Sequence, residues 1–132
     1  MMVKKVVEPV QKQSAERWEQ QVRKGALEMA ILAGLWLGRM YGLEIIRLFR
    51  DSSQLVLTEG TIYPMLSRLK DEGLLASEWV EAEAGHPRKY YWLTENGRGR
   101  LQQRAETWTE FSRELARLIK PVIAAHKEEA MK

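Results

Sequence analysis

The chain has 132 residues, a formal net charge of +3, no cysteine and two histidines, which is enough for one domain with one modest core. The lack of cysteine excludes disulfides, thiolate catalysis and cysteine-based metal sites. No apolar run approaches the roughly 18 residues that a membrane-spanning helix needs, and the start does not resemble a signal peptide, so we expect a cytoplasmic protein without a membrane partner.

Two helices are predicted in the first part of the chain. Residues 14–37 contain no proline, and apolar residues such as Trp18 and Ile31 recur there at helical spacing. They form one long helix or two abutting helices that meet near Gly25. A second helix is predicted over residues 41–49.

The third predicted helix ends at Gly73 and begins at one of two threonines. Its apolar residues form one inward stripe, with the spacing i, i+3, i+4 and i+7: Ile62, Met65, Leu66 and Leu69. A start at Thr61 would place Pro64 in the first turn, where its missing amide is harmless. A start at Thr58 would place Pro64 inside the helix, at the cost of one hydrogen bond. The sequence leaves both starts open.

Two β-strands are predicted next, over residues 78–83 and 89–93. The second is rich in aromatic residues, which favour a pleated, half-buried surface. Residues 84–87, Ala-Gly-His-Pro, have turn chemistry and join the strands. Alternation would place Tyr91 and Leu93 on the same face of this hairpin.

The last predicted helix begins after Thr94, whose hydroxyl suits an N-cap, and kinks or ends near Lys120 because Pro121 follows. Apolar residues recur in steps of four and three, with one polar interruption at Ser112. The apolar members of this seam are Leu101, Ala105, Trp108, Leu115, Ile119 and Val122. A helix from 95 to 120 is about 39 Å long. A small domain cannot cover such a seam, so the pattern predicts a partner helix.

Three helices, a hairpin and a long helix follow the order of a winged helix-turn-helix protein. Several spaced blocks match one family in the right order: Tyr41-Gly42-x-Glu44-Ile45, Gly60-Thr61-Ile62-Tyr63-Pro64-x-Leu66-x-Arg68-Leu69, Glu72-Gly73-Leu74, Trp79, and Gly85-x-Pro87-Arg88-Lys89-Tyr90-Tyr91-x-Leu93-Thr94-x-x-Gly97. With these blocks the chain resembles the PadR family of bacterial transcriptional regulators, over about residues 23–120.

The resemblance implies a mainly α-helical fold with a small β-hairpin. It implies a winged helix-turn-helix domain over 23–93, a C-terminal dimerisation helix and tail over 94–132, and an N-terminal helical extension over 1–22. Members of the family are homodimers that usually repress transcription. The implied partners are double-stranded DNA with a pseudo-palindromic operator and a second copy of the chain. No cofactor is expected.

The recognition helix of the family resembles residues 61–72. Its outward residues would be Thr61, Tyr63, Pro64, Ser67, Arg68 and Lys70. Hydroxyl, phenol and cationic groups can bond phosphates or base edges in the major groove. Simpler interpretations remain for three of them: Tyr63 could pack under the helix, and Arg68 and Lys70 could be solvated surface charges.

The wing of the family resembles residues 81–91, with Arg88 and Lys89 reaching the DNA backbone or minor groove. His86 stands where family wings commonly carry another cation, and a histidine is mostly neutral near pH 7. Residues 59–93 contain four Lys/Arg against six Asp/Glu, whereas residues 97–127 contain seven against three. A protein-pairing or ligand-binding module with little DNA binding is therefore the alternative function.

Trp108 lies in the middle of the apolar seam. In some PadR-like multidrug-binding regulators a tryptophan there stacks on flat ligands, which makes a planar aromatic small molecule a candidate effector; plain interface packing is the simpler interpretation. An enzyme is not expected, because the sequence has no Ser/His/Asp spacing, glycine-rich phosphate loop or metal cluster.

Overall fold

The computed structural model describes residues 3–52, 54–82 and 85–132, and side chains from Lys12 onward within those ranges. The order of elements is α1 (Val3–Gly34), β1 (Met40–Tyr41), α2 (Gly42–Leu48), α3 (Glu59–Asp71), β2 (Leu75–Val80), β3 (Arg88–Leu93) and α4 (Glu95–Met131). The fold is mainly helical with a small antiparallel sheet, as predicted.

The core lies where the C-terminal half of α1, α2, α3, the sheet and the start of α4 meet. Its buried members come from these elements and from the segments that join them: Leu27, Ile31, Leu32, Leu35, Ile45, Leu57, Ile62, Leu66, Leu69, Leu74, Leu75, Tyr91, Leu93 and Leu101. Removing these side chains from water is the main stabilising contribution to the fold. The predicted inward stripe of α3 is confirmed, and it orients that helix rigidly against the body.

α1 is one continuous helix, and Gly25 lies inside it without a joint. α3 begins after Thr58, whose carbonyl accepts the amide of Ile62 at 2.9 Å. Pro64 therefore lies inside the helix. Because proline has no amide hydrogen, the carbonyl of Gly60 lacks its helical partner. Gly60 and Pro64 are both exposed, so water can replace the missing hydrogen bond.

A kink or an end near Lys120 was predicted. α4 continues through Pro121 to Met131, so it does not end there. This stretch is exposed, and water can again satisfy the carbonyl that proline leaves free. The predicted N-cap is confirmed: the Thr94 hydroxyl accepts the amide of Gly97 at 2.9 Å and donates to the carbonyl of Gly73 at 2.7 Å.

The sheet has the order β1-β3-β2, with antiparallel pairs throughout. The first strand of the hairpin lies three residues earlier than the predicted 78–83, because Gly73 (φ +79°) ends α3 sharply and Leu75 pairs at once with Leu93. Glu83 and Ala84 of the predicted strand and turn lie outside the described residues. The shared face of Tyr91 and Leu93 is confirmed, since both are buried.

β1 was not predicted as a strand. It has only two residues, Met40 and Tyr41, which pair with Tyr91 and Tyr90 of the hairpin. Two residues show no periodicity, so only the tertiary pairing reveals them. No helix within the described ranges is long and apolar enough to cross a membrane.

Candidate nucleic-acid interface

α3 presents a polar face to solvent. Because its opposite face is anchored in the core, Tyr63, Pro64, Ser67 and Lys70 are exposed on one side. Thr61 is half-buried, and its hydroxyl lies 3.1 Å from that of Thr58 at the start of the helix. This face carries hydroxyl, phenol and ammonium groups, all able to donate hydrogen bonds.

Tyr63 packs sideways on α2 and is still 42% exposed. Its ring covers Gly42, where a Cβ atom would lie 2.6 Å from Tyr63 Cε1. Burial, and then the proximity of Tyr63, raises the pKa of Tyr91 beneath it. Tyr91 therefore stays a neutral phenol at physiological pH.

Arg68 was expected to point outward, but its side chain is held by other residues of the chain. Its guanidinium is bound by the carboxylate of Glu28 on α1, and its Nε lies 4.0 Å from a carboxylate oxygen of Glu72. The side chains of Arg68 and Glu28 are 39% and 20% exposed. A DNA contact by Arg68, which stays a prediction, would require Glu28 to release it.

The wing holds its two cations against aromatic rings. The guanidinium carbon of Arg88 lies 4.6 Å from the ring centre of Tyr41. The ammonium of Lys89 lies 5.7 Å from the ring of Trp79 and 5.8 Å from that of Tyr91. Such cation–π contacts stabilise an exposed pair by about 0.5–1 kcal/mol, so each ring favours the observed position of its cation.

At the tip of the wing, the chain turns with Gly85 in the left-handed region (φ +80°), and its amide donates to the carbonyl of Ala82 at 3.0 Å. His86 and Pro87, which follow, are exposed. The tip therefore projects from the body, ahead of Arg88.

A cleft of about 350 Å³ opens between α3, the start of α2 and the wing. We call it the wing cleft. Three aromatic rings, two cations and a proline line it: Tyr41, Tyr63, Trp79, Arg88, Lys89 and Pro87. No carboxylate is among its described lining residues.

The wing cleft brings together three of the predicted DNA-contacting residues, Tyr63, Arg88 and Lys89. Ser67 and Lys70 lie on α3 outside its lining. Tyr41 and Trp79 were not predicted as site residues, although both belong to the matched sequence blocks. Their presence in those blocks was the only signal that could have marked them.

The predicted seam on α4 is exposed in the single chain. Trp108, Ile119 and Leu115 are each more than two-fifths exposed, and Ala105 is exposed as well. Leu101 is different, because it is only 5% exposed and belongs to the core of its own chain. Leu101 therefore offers no free surface to a partner.

Val122 of the predicted seam is exposed too, and exposed apolar side chains continue beyond the seam. On α4 they include Phe111, Leu118 and Ile123, and on α1 they include Trp18 and Val22. An uncovered apolar stripe of this size marks an interaction surface.

A winged helix-turn-helix protein is defined by a recognition helix that packs on other helices and lies beside a β-hairpin wing. This fold has that arrangement. The family model described as "Transcriptional regulator PadR-like family" matches residues 31–103. The chain belongs to this family of transcriptional regulators, as its sequence blocks predicted.

Solved structures support the same assignment. An X-ray structure of a PadR-like transcription factor from Bacteroides fragilis is 38% identical, with a TM-score of 0.67, and the match covers 77% of this chain and 98% of that one. A PadR family transcriptional regulator from Eggerthella lenta is 28% identical, with a TM-score of 0.70 and coverage of 83% and 96%. A PadR-like regulator from Bacillus cereus is 30% identical, with a TM-score of 0.67 and coverage of 75% and 96%. No curated protein matches the chain.

Proposed function

We propose that the chain is a homodimeric repressor that binds a pseudo-palindromic DNA operator. This proposal depends on one observation: α3 and the wing present their hydrogen-bond donors and cations on the same side of the molecule, around the wing cleft. In this proposal α3 enters the major groove, and the wing contacts the adjacent backbone or minor groove. The residues that touch DNA are Thr61, Tyr63, Ser67 and Lys70 of α3 and Arg88 and Lys89 of the wing.

Dimerisation rests on the exposed apolar stripe of α4. The helix has 37 residues, which corresponds to about 55 Å, and Trp108, Leu115 and Ile119 lie along its exposed seam. A partner helix would remove these side chains from water, at about 25 cal/mol per Å² of apolar surface. The exposed Trp18 on α1 supports a contribution of the N-terminal helix to the same interface.

Two copies also compensate for a weak single site. The segment 59–93 carries six acidic against four basic residues, so one copy gains little from electrostatic attraction to DNA. A dimer doubles the contacts on half-sites about one helical turn apart.

A planar aromatic effector that stacks on Trp108 is the regulatory part of the proposal. Such a ligand at the seam would change the relative position of the two copies, and hence the half-site spacing that they match. Fluorescence quenching by planar phenolic or cationic compounds, lost in Trp108→Phe, would establish this site. Quenching that persists in the variant would exclude it.

Gel shift and fluorescence anisotropy on a fragment from the chain's own promoter test the main proposal. We expect Lys89→Ala to weaken binding on every sequence and to reduce the log–log salt slope by about 1. Lys127→Ala, which removes the same charge from the tail of α4, is the matched control and should change neither quantity.

Unchanged binding in both Lys89→Ala and Arg88→Ala would remove the wing assignment. Absence of retardation on any promoter fragment, together with a stable complex with another protein, would favour the alternative of a protein-pairing module.

A further inference from the structure

The wing cleft contains more aromatic surface than a contact with duplex DNA can use. We infer that it is also a binding site for a free nucleotide, a ligand that combines one flat base with a terminal phosphate. The site itself is independent of the proposed function, whereas competition between the nucleotide and the operator rests on that function.

The aromatic lining favours a free base over duplex DNA. Tyr41, Tyr63 and Trp79 line the cleft, and the Trp79 side chain is 67% exposed. In a duplex the bases are paired and stacked on each other, so a protein meets only their edges and the backbone. A free base presents its whole face, and every base can stack on an aromatic side chain. The exposed indole therefore suits a base that is not part of a duplex.

The cations of the cleft suit a terminal phosphate. Arg88 and Lys89 both line it, and none of its described lining residues carries a carboxylate. A terminal phosphate carries a charge of about −1.5 to −2 near pH 7, whereas each phosphate within a DNA strand carries a single negative charge. Two cations match the larger charge, and the phenol of Tyr63 can donate a further hydrogen bond to a phosphate oxygen.

Two of the aromatic rings lie beside these cations. The guanidinium carbon of Arg88 lies 4.6 Å from the ring centre of Tyr41, and the ammonium of Lys89 lies 5.7 Å from that of Trp79. Ordering a long basic side chain opposes ligand binding, and a contact that already favours the bound position reduces this cost. Because Lys89 lies beside Trp79, a base on the indole can place its phosphate within reach of the cations.

The size of the cleft is sufficient for one nucleotide. Its volume is about 350 Å³, within the range of about 300–1,000 Å³ that small-molecule sites occupy. Gly42 determines where Tyr63 lies in the lining, because a Cβ atom at Gly42 would lie 2.6 Å from Tyr63 Cε1. A larger residue there would displace the Tyr63 ring and change the shape of the cleft.

A nucleotide in the wing cleft would compete with the operator. Tyr63, Arg88 and Lys89 line the cleft and are also residues that the proposed function assigns to DNA. The same side chains cannot hold both ligands at once, so the nucleotide binds the DNA-free protein and withdraws it from the operator by mass action. Trp108 lies on α4 and does not line the cleft, so this site is separate from the effector site proposed there.

Equilibrium dialysis of the full-length protein against labelled guanosine monophosphate (GMP) tests the site. We expect saturable binding of one GMP per chain. Guanosine, which lacks the phosphate, should bind at least about tenfold more weakly, because the hydrogen bonds to a charged group are lost. Inorganic phosphate, which lacks the base, should displace GMP only at concentrations at least about fivefold higher than unlabelled GMP requires, because it cannot stack.

Arg88→Ala should weaken GMP binding about tenfold or more, because it removes a charged hydrogen-bond donor. Arg39→Ala is the matched control. Its guanidinium carbon also lies 4.6 Å from an aromatic ring, that of Trp92, but it pairs with Glu78 at 2.8 Å and does not line the wing cleft. This control should bind GMP like the wild type.

Trp79→Leu should weaken GMP binding at least about fivefold, because the stacking surface is lost while an apolar side chain remains. Trp108→Phe is the control for this change and should have no effect, since Trp108 lies outside the cleft. In fluorescence anisotropy on a promoter fragment, GMP should raise the apparent Kd for DNA in proportion to its concentration above its own Kd. Trp79→Leu should need at least about fivefold more GMP for the same effect.

The outcomes separate this inference from the proposed function. Absence of GMP binding, equal binding of GMP and guanosine, or wild-type GMP binding in both Arg88→Ala and Trp79→Leu would each overturn the nucleotide site. If 2-naphthoate, a flat anion with a single charge, binds as tightly as GMP, the assignment of a nucleotide is wrong. If GMP binds as expected but leaves the Kd for DNA unchanged, the competition is wrong. If GMP binds as expected and no promoter fragment binds the protein, the proposed function fails while the nucleotide site stands.

Discussion

The ion pair between Arg68 and Glu28 connects the recognition helix to α1, and Glu28→Gln tests its energetic importance. The substitution keeps the shape of the side chain and removes its charge. The two side chains are 39% and 20% exposed, which places the pair between an exposed pair, at about 0–1 kcal/mol, and a buried pair, whose disruption costs about 3–5 kcal/mol. Glu72 remains near the guanidinium at 4.0 Å. We therefore expect a loss of about 1–2 kcal/mol in the free energy of unfolding.

Urea denaturation at a fixed protein concentration measures this loss, because the proposed dimer would make apparent stability depend on concentration. The urea midpoint should fall with an unchanged slope. Glu19→Gln is the matched control, since Glu19 pairs with Arg23 at 3.8 Å on the exposed surface of α1. That control should change stability by less than about 0.5 kcal/mol.

A double-mutant cycle with Arg68→Ala isolates the pair. We expect a coupling of about 1 kcal/mol or more between Glu28→Gln and Arg68→Ala. Additivity within about 0.3–0.5 kcal/mol would refute the reasoning, because independent sites add within that margin.

The same variant tests the DNA contact predicted for Arg68. Once Glu28 no longer holds it, the guanidinium is free to turn outward from α3. Glu28→Gln should then bind DNA at least as tightly as the wild type, with a salt slope steeper by up to about 1. A weakened affinity with an unchanged slope would show instead that Arg68 acts only as a brace between α3 and α1.

Further predictions concern the junctions, the buried phenol and the seam. Gly97→Ala should destabilise the fold by about 3 kcal/mol or more in thermal unfolding, because its Cβ would lie 2.0 Å from the carbonyl oxygen of Leu74. Gly99→Ala is the control: a Cβ there has no heavy atom within 4 Å, so it should stabilise the fold by about 0.5–1 kcal/mol. The raised pKa of Tyr91 contributes stability that is present below the pKa of the unfolded chain and lost as pH rises through the folded value. Tyr91→Phe should therefore flatten the loss of stability at alkaline pH, and an unchanged slope would contradict this. Leu115→Lys should give monomers in analytical ultracentrifugation with an unchanged helical content, because Leu115 is exposed in the single chain; an intact dimer would exclude this part of the seam.

Local periodicity and end signals in the sequence were sufficient for most of the helical architecture. The i, i+3, i+4, i+7 stripe of α3, the N-cap at Thr94 and the shared face of Tyr91 and Leu93 all follow from residues within one or two turns of each other. The spaced motif blocks indicated the family. These features depend on short-range geometry, which a sequence pattern records directly.

The tertiary structure decided what depends on distant residues. Arg68 lies 40 residues from Glu28 along the chain, and a helical pattern cannot show which carboxylate will bind an outward cation. Leu101 fits the α4 seam by spacing, yet it is buried in the core of its own chain. Pro64 and Pro121 lie inside helices because their freed carbonyls face water, and only solvent exposure reveals that.

The candidate site also has features that the sequence predicted and features that only the tertiary structure decided. The residue types on α3 and the wing could be predicted from the family motif, because each block is one short continuous stretch of the chain. The wing cleft could not, because Tyr41, Tyr63, Trp79 and Arg88 come from four different elements, three of which are strands that pair only in the folded sheet. By itself the sequence determined which residue types lie on α3 and on the wing. Only the packing of α2, α3 and the sheet decided which of them meet, because long-range contacts are set by the joint burial of apolar faces that no single segment encodes.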